Sequence, residues 1–292
     1  MKKSVLFLLS ISVVCIAFAA IFVKLSDAPA GIISMYRMFF ASLLLVPVIY
    51  KYKHEFLKLT AKEWCGLILA GLFLGMHFGF WFGSLQLTSV ASSTVILALQ
   101  PIIAMAGAYL VYREKISMRA AVAVFISFLG IVLISWGDFS FTDFSAIMGN
   151  ILSFLGAVAV VVYFMIGQNA VRNLKHWVYS FIVFSIAGVF LLIYNIFTGV
   201  DLIGYPPKEW LLFMLLAIFP TIAHVIFNYL LYDVSPTTVS MAMLLEPAGA
   251  SILAFFVLQE TLGPLRLAGG VIVLTGVYFF LRNQRRTGPA DG

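Results

Sequence analysis

The sequence predicts an all-α polytopic membrane protein whose ten transmembrane helices form two inverted five-helix repeats. Three observations support this prediction. Hydrophobic residues make up 63% of the 292 residues and charged residues only 10%, and the mean hydropathy is +1.07. Apolar stretches follow one another along the chain, and the two halves of the sequence align without a gap. A soluble domain carries about a quarter charged residues, so a water-soluble fold is not expected.

Each apolar stretch is long enough to cross a bilayer as an α-helix that satisfies its own backbone hydrogen bonds. The most polar connection is KYKHEFLKLTAKE, residues 51–63, so we expect no soluble domain between the spans. Residues 283–292 are expected to form a disordered cytoplasmic tail. Hydropathy and turn signals place the ten helices at residues 4–24, 29–50, 63–84, 89–111, 118–136, 146–170, 177–197, 208–232, 236–258 and 264–281.

The first predicted helix also has features of a secretory signal peptide. Two lysines precede an apolar run that ends in the small residues AFAA. The apolar run continues through Val23, however, and so reaches a length that spans a bilayer. Removing it would leave nine spans and break the internal repeat, and we therefore predict that it is the first transmembrane helix.

The distribution of basic residues predicts the orientation. If the N-terminus is cytoplasmic, basic residues concentrate on the inner side, as they do in membrane proteins generally. This predicts a multi-pass protein of the cell (inner) membrane with both termini in the cytoplasm. The formal net charge of +6 then follows from topology and gives no reason to expect nucleic acid. The inner set is Lys2, Lys3, Lys51, Lys53, Lys58, Lys62, Arg113, Lys115, Arg119, Arg172, Lys175, Arg282, Arg285 and Arg286, and the outer set is Lys24, Lys208 and Arg266.

An internal repeat appears when the sequence is shifted by half its length. TVILALQPIIAMAGAYLVYREK then aligns with SMAMLLEPAGASILAFFVLQET. The shift also places Ser89 on Ser235, Pro101 on Pro247, Glu114 on Glu260 and Gly130 on Gly276. Each half, 1–141 and 142–282, contains five predicted spans. Because five is odd, the two copies enter the membrane from opposite sides, an arrangement that secondary transporters use to build two similar gates around a central site.

These motifs resemble those of the EamA-type branch of the drug/metabolite transporter superfamily. The resemblance rests on TSVASSTVILALQPIIAMAGAYLVYREK followed by Gly130, and on VSPTTVSMAMLLEPAGASILAFFVLQET followed by Gly276. The start of the second helix, PAGIISMYRMFFASLLL, is similar to the arginine-aromatic signature of the family at Arg37 and Phe39. Val183 stands at the position that matches Arg37 in the second half, so any role of the arginine is present once.

The resemblance implies a secondary transporter that works by alternating access around a central cavity. The cavity would be lined by the first, third, fourth, sixth, eighth and ninth helices. Because members of this superfamily export amino acids, drugs, purines and other metabolites, we expect an exporter of small metabolites such as amino acids. A lipid-linked precursor flippase or a passive channel is the alternative. A flippase needs several basic residues for phosphate, whereas Arg37 is the only one deep inside a predicted span.

The third helix has two distinct faces. Gly71, Gly75, Gly79 and Gly83 recur every four residues, a pattern typical of close helix packing. His77, Trp81 and Ser84 lie on the opposite side, and because a histidine facing lipid is costly, this side is expected to face a wet cavity. The alternative is a histidine hydrogen-bonded to a neighbouring helix.

Polar and aromatic residues inside other spans extend the predicted cavity. Tyr163 and Trp81 lie away from the interfacial belts where such rings usually occur, so they are interpreted either as a platform for an apolar substrate portion or as core packing. Small residues on the sixth helix favour tight packing. The predicted cavity residues are His77, Trp81, Ser84, Gln100, Tyr163, His224, Asn228 and Glu246.

Glu246 and Pro247 are expected near the bilayer midplane. Ser235 and Pro236 form an N-cap and a first-turn proline, and eleven residues at the helical rise place Glu246 about 16 Å further in. Pro247 and its counterpart Pro101 are predicted helix bends, because proline removes a backbone donor. Glu246 can hold a proton and couple its release to transport, or stay neutral and donate one hydrogen bond. Gln100, at the matching site, cannot titrate.

The remaining polar residues suggest structural roles. Glu114 and Glu260 are expected at helix ends in the headgroup region, and Arg37 can extend outward to tie helix ends together. The cysteines, Cys15 and Cys65, lack metal-ligand spacing, and the sequence contains no HExxH, Walker A or CxxC motif. We therefore expect no enzyme activity, metal or cofactor. The expected partners are a small-molecule substrate, protons as a candidate coupling ion and the lipid bilayer, with the chain a monomer or homodimer.

Overall fold

The computed structural model describes residues 3–88, 90–113, 117–134, 136, 144–257 and 263–284. All regular secondary structure within these ranges is helical, and the helix boundaries lie within a few residues of those predicted from the sequence. A 3₁₀ segment, Lys53–Lys58, follows the second helix. The helices are α1 (Lys3–Leu25), α2 (Ala30–Tyr52), α3 (Ala61–Leu87), α4 (Val90–Leu97), α5 (Gln100–Tyr112), α6 (Met118–Ile134), α7 (Phe144–Ala170), α8 (His176–Thr198), α9 (Pro207–Leu230), α10 (Pro236–Met243), α11 (Glu246–Val257) and α12 (Pro264–Gln284).

These helices form ten candidate membrane spans. Within the described ranges, eight helical stretches are long and apolar enough to cross a bilayer, and α6 and α12 provide two shorter apolar helices. Two of the eight are interrupted, since α4 and α5 form one span and α10 and α11 form another. The predicted all-helical polytopic fold is confirmed.

Both interrupted spans break just before a proline. The fourth span leaves α-helical geometry at Ala98 and Leu99, and the ninth does so at Leu244 and Leu245. Pro101 and Pro247 follow two residues later, and neither has an N–H to donate to the preceding turn. At its start, α10 is capped as the sequence predicts: the Ser235 side chain accepts a hydrogen bond from the Thr238 backbone N–H, and Pro236 occupies the first turn.

The contacts between helices show the same two-fold relation as the sequence repeat. The most extensive contacts join α3 to α7, α6 to α12, α2 to α8 and α1 to α9. A shift of half the sequence length exchanges the α3–α7 and α1–α9 pairs and maps each of the other two pairs onto itself. All four pairs join one half of the chain to the other. The repeats are therefore related by an approximate two-fold axis and interlock through their helices.

The α6–α12 pair shows this symmetry at the level of single atoms. A Cβ atom added at Gly130 would lie 2.7 Å from the Val273 backbone N and 2.8 Å from the Gly269 carbonyl oxygen. A Cβ added at Gly276 would lie 2.8 Å from the Ala123 carbonyl oxygen and 2.8 Å from the Ser127 backbone N. Positions 269 and 273 correspond to 123 and 127 after the shift by half the sequence. Glycine is required at both places because the two backbones touch.

Polar contacts fasten the connections at both ends of the bundle. At one end, the Lys175 Nζ lies 3.7 Å from a Glu55 carboxylate oxygen, and the Lys175 backbone N–H donates to the same carboxylate. At the other end, the Lys208 Nζ lies 3.1 Å from an Asp27 carboxylate oxygen. The buried carboxylate of Glu209, in the first turn of α9, accepts hydrogen bonds from the Ser26 hydroxyl and the Asp27 backbone N–H. Each end thus links a connection in one half to a segment in the other.

Candidate functional site

The candidate site is centred on Arg37, which lies about two turns into α2 and is only 1% exposed. Its guanidinium carbon lies 3.7 Å from the centroid of the Phe78 ring and 5.9 Å from that of Phe82. The face of the guanidinium therefore makes a cation–π contact. Its in-plane nitrogens Nε and Nη1 have no hydrogen-bond partner among the described residues. A buried guanidinium with unsatisfied donors is costly inside a membrane protein and marks a candidate functional group.

Four other polar residues lie within electrostatic range of Arg37. Phe78, which Arg37 contacts, also contacts the rings of His77 and His224, and the Tyr163 ring contacts His224. Glu246 lies close enough for its charge to act on that of Arg37. Each of the four residues is buried and each comes from a different helix. We call Arg37 and these four residues the central polar cluster. It combines side chains from α2, α3, α7, α9 and α11, and therefore draws on both halves of the chain.

His77 is hydrogen-bonded to a neighbouring helix. Its Nδ1 lies 2.9 Å from the Gly156 carbonyl oxygen on α7, and because a carbonyl can only accept, Nδ1 carries the proton. The His77 ring stacks on Trp81 with centroids 5.9 Å apart and an interplanar angle of 15°. The indole Nε1 of Trp81 has no partner in the described structure. This hydrogen bond matches the alternative raised from the sequence, in which His77 is hydrogen-bonded to a neighbouring helix.

His224 lies among aromatic rings. Phe78 meets its ring edge-on, with centroids 5.4 Å apart, and Phe164 stacks on it with centroids 6.3 Å apart. Both ring nitrogens lack hydrogen-bond partners among the described residues. Buried polar atoms are normally satisfied by protein or water, so the two nitrogens are available to a molecule that enters the site.

Tyr163 and Asn228 bond to one another. The Tyr163 hydroxyl donates to the Asn228 side-chain oxygen, and the Asn228 amide donates to the Ser180 hydroxyl on α8 at 3.0 Å. These contacts satisfy the polar ends of both residues and tie α7, α8 and α9 together. Tyr163 contributes mainly its ring to the central polar cluster, while Asn228 acts as its support.

Glu246 and Gln100 lie at the two helix interruptions. Both line one cleft between the interrupted spans, together with Pro247 and several apolar side chains. Glu246 is 6% exposed and its Oε1 has no hydrogen-bond partner, and the Oε1 of Gln100 is likewise unpaired in the described structure. Glu246 therefore faces the cleft. Pro101 adjoins Gln100 in the matching interruption.

Ser84, the remaining predicted cavity residue, belongs to a separate hydrogen-bonded group. Its hydroxyl donates to the Ser93 hydroxyl at 2.8 Å, and the Ser153 hydroxyl donates to the Ser93 carbonyl oxygen at 2.6 Å. These three buried serines fasten α4 to α3 and α7. Their contacts indicate a structural role for Ser84.

The glycine face of α3 packs against neighbouring helices. A Cβ at Gly71 would lie 2.6 Å from Ile186, and one at Gly75 would lie 2.8 Å from Phe190, both on α8. Added Cβ atoms at Gly79 and Gly83 would lie 3.5 Å from Leu191 and Leu152, which is ordinary contact distance. The first two glycines are thus the ones that close packing requires.

The structure corrects the interpretation of Arg37. Arg37 was expected to extend outward and tie helix ends together, but its side chain is buried and contacts aromatic rings in the interior. It also comes from the second helix, which was not among the helices expected to line the cavity. The signal was present in the sequence, because Arg37 is the only basic residue deep inside a predicted span.

Some of the predicted features fall on residues that the structure does not describe. Ser89, Glu114, Lys115 and Glu260 lie outside the described residues, as do residues 285–292 of the predicted tail, while α12 extends to Gln284. Cys15 is half-buried and Cys65 is exposed, and both are free. Within the part of the chain that the structure describes, no three His, Cys, Asp or Glu residues are grouped so that they could hold a metal ion.

Ten apolar spans in two symmetry-related halves, with broken helices and a buried polar cluster at their junction, define the inverted-repeat class of membrane transport protein. The chain belongs to the EamA-like transporter family, whose model matches residues 3–136 and again residues 147–282. This confirms the resemblance that the sequence motifs indicated.

Proteins of similar sequence or structure support this family assignment. A protein of Archaeoglobus fulgidus described as an uncharacterized transporter is 25% identical over 96% of this chain and 98% of its own length. The uncharacterized transporter YyaM of Bacillus subtilis is 24% identical over 77% of this chain and 74% of its own. A solved crystal structure has a TM-score of 0.81 at 14% identity and covers 98% of this chain and 99% of that chain, which shows a common fold.

Proposed function

We propose that the protein is a secondary transporter that exports small metabolites, with amino acids as the leading substrate class, by alternating access around the central polar cluster. The supporting observation is this cluster itself, a buried set of polar groups with unsatisfied hydrogen-bonding atoms where the two halves meet. Aromatic rings surround it and suit an apolar substrate portion. Substrate sites of inverted-repeat transporters lie near the midplane at such a junction.

The packing of the interrupted spans supports alternating access. α5 packs against α10, whereas α4 packs against α7 and α11 against α1. In the proposed orientation, α5 and α10 are the cytoplasmic halves of their spans. Their contact closes the cytoplasmic side, and we infer that this is an outward-facing arrangement. The inward-facing state would exchange these contacts through the same approximate two-fold symmetry, with the interruptions as hinges.

The same proposal covers location and partners. We place the protein in the cell (inner) membrane with both termini in the cytoplasm, on the strength of the basic residues of its connections. It acts without catalysis, binds one small-molecule substrate and functions as a monomer or homodimer. Proton coupling is proposed through Glu246, whose neutral and charged forms differ in whether they can attract a cation.

The test of this function is transport by the purified protein in proteoliposomes. Vesicles loaded with labelled amino acids should release them, and the release should be saturable. An unlabelled amino acid on the same side of the membrane should compete with the labelled one. Protein-free vesicles provide the control. Saturable transport of a sugar phosphate or nucleotide without transport of any amino acid would contradict the substrate class, and movement of a labelled phospholipid between leaflets would support a flippase instead.

A further inference from the structure

We propose that the cleft between the two interrupted spans binds one monovalent metal cation without its water shell, such as Na⁺, with Glu246 supplying the negative charge and Gln100 a neutral oxygen. The inference deepens the proposed transport function, on which it rests for the role of the ion in coupling, while binding of the ion can be measured without transport. A cation held in this cleft would join the helix breaks of the two repeats.

The cleft lies where the two repeats meet, on their approximate two-fold axis. Glu246 is the one charged residue among the described residues that line it. A ligand in the cleft therefore contacts equivalent positions of both repeats and meets a carboxylate on one side and an amide on the other. The lining residues that exchange under the shift by half the sequence are Leu97 with Met243, Ala98 with Leu244, and Gln100 with Glu246.

Two buried oxygens of the cleft have no partner in the described structure. They are the Oε1 atoms of Gln100 and Glu246, whose side chains are both buried. Buried polar atoms are normally satisfied, and both of these atoms are acceptors, so an anion cannot satisfy them. Carboxylate and amide oxygens are the ligands that hard metal cations prefer. The two atoms therefore favour a bound cation.

The helix breaks add backbone oxygens to this set. α4 ends at Leu97 and α10 ends at Met243, and both residues line the cleft. Pro101 and Pro247, four residues further on, have no N–H. The carbonyl oxygens of Leu97 and Met243 therefore lose the donor that a continuous helix would provide. Carbonyls at the C-terminal ends of broken helices carry partial negative charge and serve as cation ligands in inverted-repeat transporters.

The size and charge of the cleft favour a monovalent ion. The space open to the centre of a water-sized sphere is about 20 Å³, which is room for one water molecule or one ion. One carboxylate balances one positive charge, whereas Mg²⁺ would bring several of its own waters. Arg37, whose charge acts on that of Glu246, is not among the residues that line the cleft, so the guanidinium does not occupy the place of the ion.

The experiment measures thermal unfolding of the full-length protein in detergent at fixed pH and ionic strength. Choline chloride is replaced stepwise by NaCl and, in a separate series, by KCl, because choline is too large for the cleft. A ligand that binds only the folded protein raises the unfolding midpoint. At ten times the dissociation constant, we expect at least one of the two metal salts to raise the midpoint by about 2–4 °C relative to choline chloride.

Variants of the two side chains test the proposed ligands. Glu246→Gln removes the negative charge, so the metal salt should no longer raise the midpoint above its value in choline chloride. Gln100→Leu removes a neutral oxygen and should weaken binding about tenfold, as expected for loss of a polar contact to a charge. Glu55→Gln, in the connection between α2 and α3, is the matched control for a lost carboxylate and should keep the wild-type shift.

Pro247→Ala tests the backbone oxygens and covers the case in which Glu246→Gln does not fold, as judged by size-exclusion chromatography. Alanine restores an N–H that can donate to the Met243 carbonyl oxygen, so the shift produced by the metal salt should decrease. Pro47→Ala is the matched control, because Pro47 is an exposed proline inside α2 that does not line the cleft. This control should keep the wild-type shift.

Three results would overturn the proposal. The first is a midpoint that neither NaCl nor KCl raises more than choline chloride does. The second is a Glu246→Gln protein that keeps the wild-type shift, and the third is equal loss of the shift in Glu246→Gln and Glu55→Gln. Saturable amino-acid transport in proteoliposomes combined with any of these results would leave the proposed function intact and reject only the cation site.

Discussion

At the scale of single residues, the position of Glu246 at the break between α10 and α11 makes it the strongest candidate for ion coupling. A carboxylate there can bind and release a proton. Protonation removes the negative charge, so the proposed proton coupling through Glu246 should make transport depend on pH. Gln100, at the matching interruption, offers hydrogen bonds without titration.

We predict that Glu246→Gln abolishes transport driven by a pH gradient while facilitated exchange persists at saturating substrate. Glutamine keeps the shape and one hydrogen-bonding oxygen but cannot exchange a proton. The measurement is proteoliposome transport with and without an imposed pH gradient, and Gln100→Glu provides the counterpart in the other half. A Glu246→Gln protein that behaves like the wild type in both assays would leave Glu246 as a residue of the helix break alone.

A second prediction at this scale compares residues that border the proposed substrate site with the glycine face of α3. Cysteines placed at His77, Trp81 and Tyr163, after Cys15 and Cys65 are replaced by serine, should react with a water-soluble thiol reagent more slowly when substrate is present. These positions border the proposed substrate site, so bound substrate should shield them from the reagent. Gly75→Cys is the comparison, because position 75 packs directly on Phe190. Labelling of position 75 with none at the other three would mean that the cavity lies on the glycine side.

At the scale of helices, the crossing of α6 and α12 depends on glycines that the repeat places twice. Gly130→Ala and Gly276→Ala should each destabilise the protein by about 1–3 kcal/mol, since each new methyl group would press on backbone atoms that cannot move aside. Gly270→Ala is the matched control, because a Cβ there meets nothing within 4 Å. Thermal unfolding in detergent provides the measurement, and equal midpoints for the three variants would contradict this account.

The two interrupted spans combine a helix break near a proline with different contacts to neighbouring helices. Each proline removes one backbone hydrogen bond, which weakens the helix at a fixed place. The serine group of Ser84, Ser93 and Ser153 then holds α4 against α3 and α7. The positions related to them by the half-sequence shift are Leu230, Val239 and Phe7, whose side chains form no hydrogen bonds, so this fastening exists on one side only. The two interrupted spans thus have similar backbones but differ in the side-chain hydrogen bonds that hold them to neighbouring helices.

At the scale of the whole molecule, the orientation can be tested with one pair of positions. In the cysteine-free background, Leu57→Cys should be protected from a membrane-impermeant thiol reagent in intact spheroplasts and Ile203→Cys should be labelled. Both side chains are highly exposed, so accessibility of the protein surface does not distinguish them. Inside-out vesicles should reverse the pattern. The opposite result would place both termini outside the cytoplasm.

The sequence by itself determined the positions of the spans, the helix breaks near the two prolines and the inverted repeat, because hydropathy, helix-capping residues and proline act locally along the chain. Ser235 and Pro236 start α10 where the pattern predicted, and Gly130 and Gly276 fall at equivalent crossings. Only the tertiary structure decided which polar residues meet. It brought Arg37 inward, joined Tyr163 to Asn228 and separated Ser84 from the central polar cluster. The physical reason is that a buried polar side chain is satisfied by partners on other helices, and the choice of partners depends on rotation and packing that a one-dimensional periodicity does not specify.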